Sequence, residues 1–117
     1  MQHKKQYDEV VKAFENYCIP RKNIIAESFK FHQQTQKQEE SFDHFLTELR
    51  KQTKLCEFGD QEERMIRDRI VFGTNDVALQ ERLLRLSDLT LIMATNQARA
   101  AEAGKIQIKA LQEKQPK

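Results

Sequence analysis

The chain has no tryptophan, three glycines, two prolines and two cysteines among its 117 residues. So few glycines and prolines exclude a β-sandwich or barrel, which needs a turn roughly every 8–12 residues. No apolar run approaches the roughly 20 residues that a membrane-crossing helix requires. The opening residues Gln2, His3, Lys4 and Lys5 lack the apolar centre of a secretory signal. Cys18 and Cys56 are too few and too far apart for a disulfide framework. They are expected as buried, reduced thiols, with an intramolecular disulfide as the alternative. An intracellular, cytoplasmic protein is expected, or a nuclear one if the chain is fused to a transcription regulator.

Catalytic and metal-binding patterns are equally sparse. His3, His32 and His44 are scattered, so no zinc finger or knuckle can be assembled from neighbouring ligands. Three isolated glycines build no phosphate-cradling loop. A cysteine–histidine nucleophile pair is disfavoured because both thiols lie on apolar helical stripes. The adjacent carboxylates Glu39–Glu40 and Glu62–Glu63 project to different sides of a helix, which suits capping and solvation better than acid–base work. No enzyme activity, cofactor, metal, small-molecule substrate or membrane partner is expected.

Charge does not single out a nucleic-acid partner. Lys and Arg number 20 against 18 Asp and Glu, with 38% hydrophobic and 32% charged residues. That is the composition of a folded chain with a mixed-sign surface. Arg64, Arg67, Arg69, Arg82 and Arg85 are interleaved with Glu62, Glu63, Asp68, Asp76, Glu81 and Asp88. Beyond Thr90 a modest basic excess remains, through Arg99, Lys105, Lys109, Lys114 and Lys117 against Glu102 and Glu113. Few phosphate contacts are on offer there.

What is abundant is helical periodicity. Tyr7, Val10, Val11, Phe14, Tyr17 and Cys18 recur at three- and four-residue steps and stop before Pro20. Asn23 can cap a second helix with Ile25, Phe29 and His32 on one face, flanked by Ile24 and Phe31. A polar stretch, residues 33–40, precedes Ser41, which can cap a helix carrying Phe42, Phe45, Leu46, Leu49 and Cys56. Gly59 suits a left-handed helix end, and Asp60 with Glu63 suits a capping box. Met65, Ile66, Ile70 and Phe72 mark the next helix, ending at Gly73. Asn75 or Asp76 can cap a short helix with Val77, Leu79, Leu83 and Leu84. Thr90 can cap a last helix carrying Leu91, Ala94, Ala98 and Ala101, with a polar, frayed end from Gln112. The expected fold is all-α, a compact bundle of about six short helices in one domain or two small lobes. Phe14, Phe29, Phe42, Phe45, Leu49, Ile66, Ile70, Leu83 and Leu84 are its expected core.

One stretch has a more specific pattern. Gln36, Glu40 four residues on, then Phe42, Phe45 and Leu49 resemble the major homology region of retroviral and retrotransposon capsid proteins. Tyr7-x-x-Val10-x-x-x-Phe14-x-x-Tyr17, Cys18-x-Pro20-x-x-Asn23, Cys56-Glu57-Phe58-Gly59, the run from Ile66 through Ile70 to Gly73, Leu83-Leu84 and Leu89-Thr90-Leu91 extend the likeness. Over residues 7–103 the chain resembles the Gag capsid of gypsy-type retrotransposons, a family that includes domesticated members such as neuronal Arc. It departs from the retroviral pattern at Lys37, where glycine is usual, and at Glu48, where arginine is usual; Arg50 is a candidate substitute.

The resemblance implies that residues 1–20 hold the last helix of an N-terminal capsid lobe. It makes residues 21–104 the C-terminal lobe with its lead-in helix, and residues 105–117 a polar basic tail. It implies self-association, as a homodimer or higher oligomer of capsid type, with any RNA contacted through regions outside this chain. The alternatives are a SCAN-like dimerisation domain of a transposon-derived transcription regulator and a helical nucleic-acid-binding domain. The homology-region network is then Gln36, Glu40, Phe42, Phe45 and Leu49. In it, Glu40 accepts from amides at the following helix start and Gln36 ties down the linker. The self-association surface is expected on one helix, at Arg64, Met65, Ile66, Arg69 and Phe72. There Ile66 and Ile70 face one way, and Met65, Arg69 and Phe72 lie roughly 100° round.

Overall fold

Short polar side chains set where most of the helices begin. In the computed structural model, which describes residues 23–114, Asn23 Oδ1 accepts from Ala26 N at 3.0 Å and opens α1 (Ile24–Gln33). Ser41 Oγ accepts from His44 N at 3.2 Å and opens α2 (Phe42–Thr53). Asp76 caps α4 (Val77–Leu84) through Leu79 N. Thr90 Oγ1 accepts from Met93 N at the start of α5 (Leu91–Lys114). Each cap satisfies an amide that its helix leaves without an internal partner.

The entry to α3 (Glu62–Gly73) differs from the expected capping box. A 3-10 turn, Gly59–Gln61, runs straight into it, and Gln61 at the N-cap makes no side-chain cap bond. Asp60 lies inside that turn, so its carboxylate is a residue too early to close over the first turn of α3. Two left-handed residues mark the start of the 3-10 turn, Glu57 at φ 55° ahead of it and Gly59 at φ 64° as its first residue. The glycine was expected in that region; the glutamate was not.

These five α-helices, with no strand among the described residues, form a small all-α bundle. The sixth expected helix, over residues 7–18, and with it Phe14 and Cys18, lies outside the described residues. α3 is the central element, packed by α2, α4 and α5, while α1 leans on α2. Phe42, Phe45, Leu46 and Leu49 from α2 meet Ile66, Ile70 and Val71 from α3. Phe31 from α1, Cys56, Leu79 and Leu83 from α4, and Leu91, Ala94 and Ala98 from α5 complete the core. The small alanines let α5 lie close against its neighbours. Arg67 adds a polar tie, donating to Leu89 O at 3.0 Å.

Two expected core residues are on the surface. Phe29 is 66% exposed while Phe31, two residues on, is 1% exposed. The cause lies on α2: Gln52 Nε2 donates to both the main-chain and side-chain oxygens of Glu27. Glu27 and Phe31 share a face at i, i+4, so this tie turns Phe31 inward onto Phe58 at a ring distance of 5.2 Å. Leu84 is 62% exposed because the eight-residue α4 buries one row, Leu79 and Leu83. α5 continues through Lys114, so residues 105–114, within the stretch expected as a polar basic tail, are an exposed helical extension.

Phe45 is 1% exposed at the centre of the α2–α3 contact. Phe45→Ala is expected to destabilise the chain by about 3–5 kcal/mol through lost burial and the cavity left behind. Chemical denaturation of both proteins, compared at the same slope, checks it.

Candidate functional site

The polar residues between α1 and α2 cross the C-terminal end of α3, where the main chain itself comes close. Gln36 N donates to Gly73 O at 2.7 Å. A Cβ placed on Gly73 would meet Gln34 O at 2.9 Å, Phe45 Cζ at 3.1 Å and Thr35 Cα at 3.3 Å. Glycine is required here by the approach of two backbones and a ring, rather than by an unusual φ.

The Gln36 side chain holds both sides of this crossing. Its Nε2 donates to Glu40 O at 2.9 Å. Its Oε1 accepts from Thr74 Oγ1 and Asn75 N, each at 3.4 Å. Asn75 Nδ2 returns a bond to Lys37 O at 2.6 Å. The linker is thereby fixed to the α3–α4 connection by side chains from both partners.

Glu40 acts on the turn before α2, not on the amides that start it. One carboxylate oxygen accepts from Lys37 N at 2.9 Å, and the other lies against His44 Nδ1. The helix start is served by two other residues. Ser41 takes His44 N, and Glu102 Oε2, from α5, takes Phe42 N at 2.9 Å. Arg99 adds an ion pair to Asp43 in the first turn of α2, at 2.9 Å. Arg50, the candidate substitute for the missing family arginine, instead lines a groove with Leu46, Glu63, Leu91 and Arg99. His44 supplies the second partner of Glu40.

Four chain segments thus converge on one joint: the linker, the start of α2, the α3–α4 connection and the middle of α5. They line a cleft of about 290 Å³, bordered by Gln36, Glu40, Asp76, Glu102 and Lys105. Lys105 closes its rim, 3.2 Å from Asp76 Oδ2. Burial is the largest single influence on Glu40 and works to raise its pKa. The Lys37 amide and the His44 bond, helped by the charges of His44 and Lys37, outweigh it and hold the carboxyl below its ordinary value. Asp76 follows the same balance: burial raises it, but the Leu79 amide and Lys105 bring it lower. These carboxylates are committed to bracing the joint. Among the described residues no group of three His, Cys, Asp or Glu side chains could hold a metal ion.

Of the expected homology-region residues, Gln36 and Glu40 lie in the joint, Phe42 joins it through its amide, and Phe42, Phe45 and Leu49 are all buried in the core. Asn75 and Glu102 belong to it too. Glu102 carries no local sequence signal and Asn75 only that of a helix cap, because their partners in the joint are 60 and 38 residues away.

The expected self-association residues do not form one exposed face. Ile66 is wholly buried, since it lies on the same row as Ile70, and Met65 is half-buried against the core. Arg69 donates to His32 O at 2.6 Å, closing the end of α1, and burial lowers its pKa. Arg64 is on the surface beside Gln61. Phe72 alone of the apolar members is open, at 60% exposure. It borders a shallow cleft of about 200 Å³ shared with Leu84, Leu86 and Leu89, with Arg67 and Asp68 at its edge.

No protein-family model matches this chain, and no curated protein or solved structure matches it significantly.

Two measurements test the joint. Gly73→Ala is expected to cost about 1–3 kcal/mol, because the new methyl displaces the linker or Phe45; denaturant melts read it directly. Glu40 and Asp76 ionise more readily folded than unfolded, where their ordinary values are 4.5 and 3.8. Their stabilisation is therefore complete above those ordinary values and is lost as pH falls through the lower folded ones. The melting temperature is expected to hold from about pH 7 to 5 and to drop below that. The Glu40→Gln plus Asp76→Asn variant is expected to show a shallower drop.

Proposed function

We propose that this chain is a non-catalytic self-association module, the C-terminal capsid lobe of a Gag-like protein. The observation that carries the proposal is the apolar surface formed by Phe72 and Leu84, 60% and 62% exposed, with Leu86 at 36%. Large apolar side chains clustered across two helices and edged by Arg67 and Asp68 suit a partner-binding patch. The patch sits at the end of α3, the helix on which self-association was expected, and it replaces Ile66 and Met65 as the anchor. The joint around Gln36 supports the capsid reading. Its Gln36 and Glu40 belong to residues 36–49, whose pattern resembles the major homology region, and it ties the linker before α2 to the end of α3. A two-fold contact through this patch would place Phe72 of one copy near Leu84 or Leu86 of the other, each contact occurring twice.

Light scattering over a concentration series, with electron microscopy of the same samples, tests this. The expected result is a mass above the monomer that rises with concentration. Phe72→Asp plus Leu84→Asp is expected to give a monomer with an unchanged melting temperature, since neither side chain is in the core. A wild-type chain that stays monomeric throughout, or a variant that still assembles, would overturn the patch as the interface. Salt-sensitive binding to RNA without self-association would favour the nucleic-acid alternative instead.

A further inference from the structure

The turn between α4 and α5 carries a hydroxyl that takes no part in the joint or the core. Arg85, Leu86, Ser87 and Asp88 are all exposed and lie outside both helices. Ser87 lines the same cleft of about 200 Å³ as Phe72, Leu84 and Leu86, so it stands at the rim of the apolar patch. Arg82 and Arg85, both exposed, precede it by five and two residues. An accessible turn with arginines ahead of a serine is the pattern selected by basic-residue-directed protein kinases, whose peptide grooves take guanidinium groups on carboxylates. The other hydroxyls between helices lack this combination. Ser41 and Thr90 accept cap bonds, Thr74 donates to Gln36, and no arginine lies on α1 ahead of Thr35.

We propose that Ser87 is a phosphorylation site and that its phosphate opens the self-association contact. The second half rests on the reading of Phe72, Leu84 and Leu86 as that contact; the first half does not. In the reaction Ser87 Oγ attacks the terminal phosphorus of a nucleoside triphosphate. The new O–P bond forms as the bond to the departing diphosphate breaks, and the hydroxyl proton passes to the carboxylate base of the kinase. The product carries about −1.5 to −2 charge at pH 7. The cleft has one cation among its lining residues, Arg67, and it is already committed. Its Nε and Nη2 donate to Asp68 Oδ1 at 3.0 and 2.7 Å, and its Nη1 donates to Leu89 O at 3.0 Å. The added charge therefore stays uncompensated beside apolar side chains and the carboxylate of Asp68. A two-fold contact doubles the penalty, because each copy brings its own phosphate to the same interface.

The full chain, incubated with ATP and the catalytic subunit of the cyclic-AMP-dependent protein kinase, tests both halves. Mass spectrometry is expected to find one phosphoryl group, on Ser87. Ser87→Ala is expected to take up none, and Arg82→Gln plus Arg85→Gln to be modified about tenfold or more slowly, for want of the charged hydrogen bonds. Light scattering over a concentration series is expected to show the phosphoprotein associating about tenfold or more weakly than the untreated chain. Its melting temperature is expected to be unchanged, since Ser87 is outside the core, and phosphatase is expected to restore association. Ser87→Ala is expected to associate alike before and after the kinase. No phosphate on Ser87, or equal modification of Ser87→Ala, would overturn the site. A phosphoprotein that associates as strongly as the untreated chain would overturn the regulation. An untreated chain that is monomeric at every concentration would overturn the self-association reading and the regulation together, while the mass-spectrometric result still decides the site.

Discussion

The bundle depends on a backbone-to-backbone approach: the linker before α2 lies on Gly73, at the end of α3. No side chain fits between them, so the two segments can be held only at this separation, and the Gln36 N–H to Gly73 O bond uses it. Everything above and below follows from that contact. Phe45 fills the space beneath Gly73, and Gln36 bridges above it to Thr74 and Asn75. Because Gln36 also takes the Glu40 carbonyl, the geometry of the α3 end is passed to the start of α2 within a few bonds.

α3 serves two roles on opposite sides. Its Ile66–Ile70 row is core and meets three other helices. Its last turn presents Phe72 beside α4, the shortest helix, which buries a single row and leaves Leu84 outside. An assembly surface on this turn would be referenced directly to the joint, since Phe72 is the residue before Gly73. Orientation of the surface and integrity of the linker are then one property of the molecule.

Local chemistry made much of this legible in the sequence. Asn23, Ser41, Asp76 and Thr90 each cap where a short polar residue precedes an apolar row, and Gly59 takes the left-handed conformation. What stayed hidden was set by partners distant in the chain. Phe29 and Phe31 are equivalent by composition, and partners on other segments, Gln52 at Glu27 and Phe58 at the Phe31 ring, accompany the inward turn of Phe31. Ser41 is readable as the cap of α2, but Glu40 is expected to accept from the same helix-start amides, and nothing local assigns it to the Lys37 turn instead. Ile66 is expected both in the core and on the association surface, and the neighbours of α3 on three sides settle it for the core.

The bond from Phe42 N to Glu102 Oε2 spans 60 residues and has a consequence for how the chain acquires its structure. Helices α1 to α4 rest largely on near neighbours in sequence and can form while the polypeptide is still being made. The first amide of α2 lacks its carboxylate until position 102 has left the ribosome and α5 has docked. The crossing of the linker over Gly73 needs no residue of α5, so a fragment ending before α5 keeps the partners of that crossing and lacks the acceptor of Phe42 N.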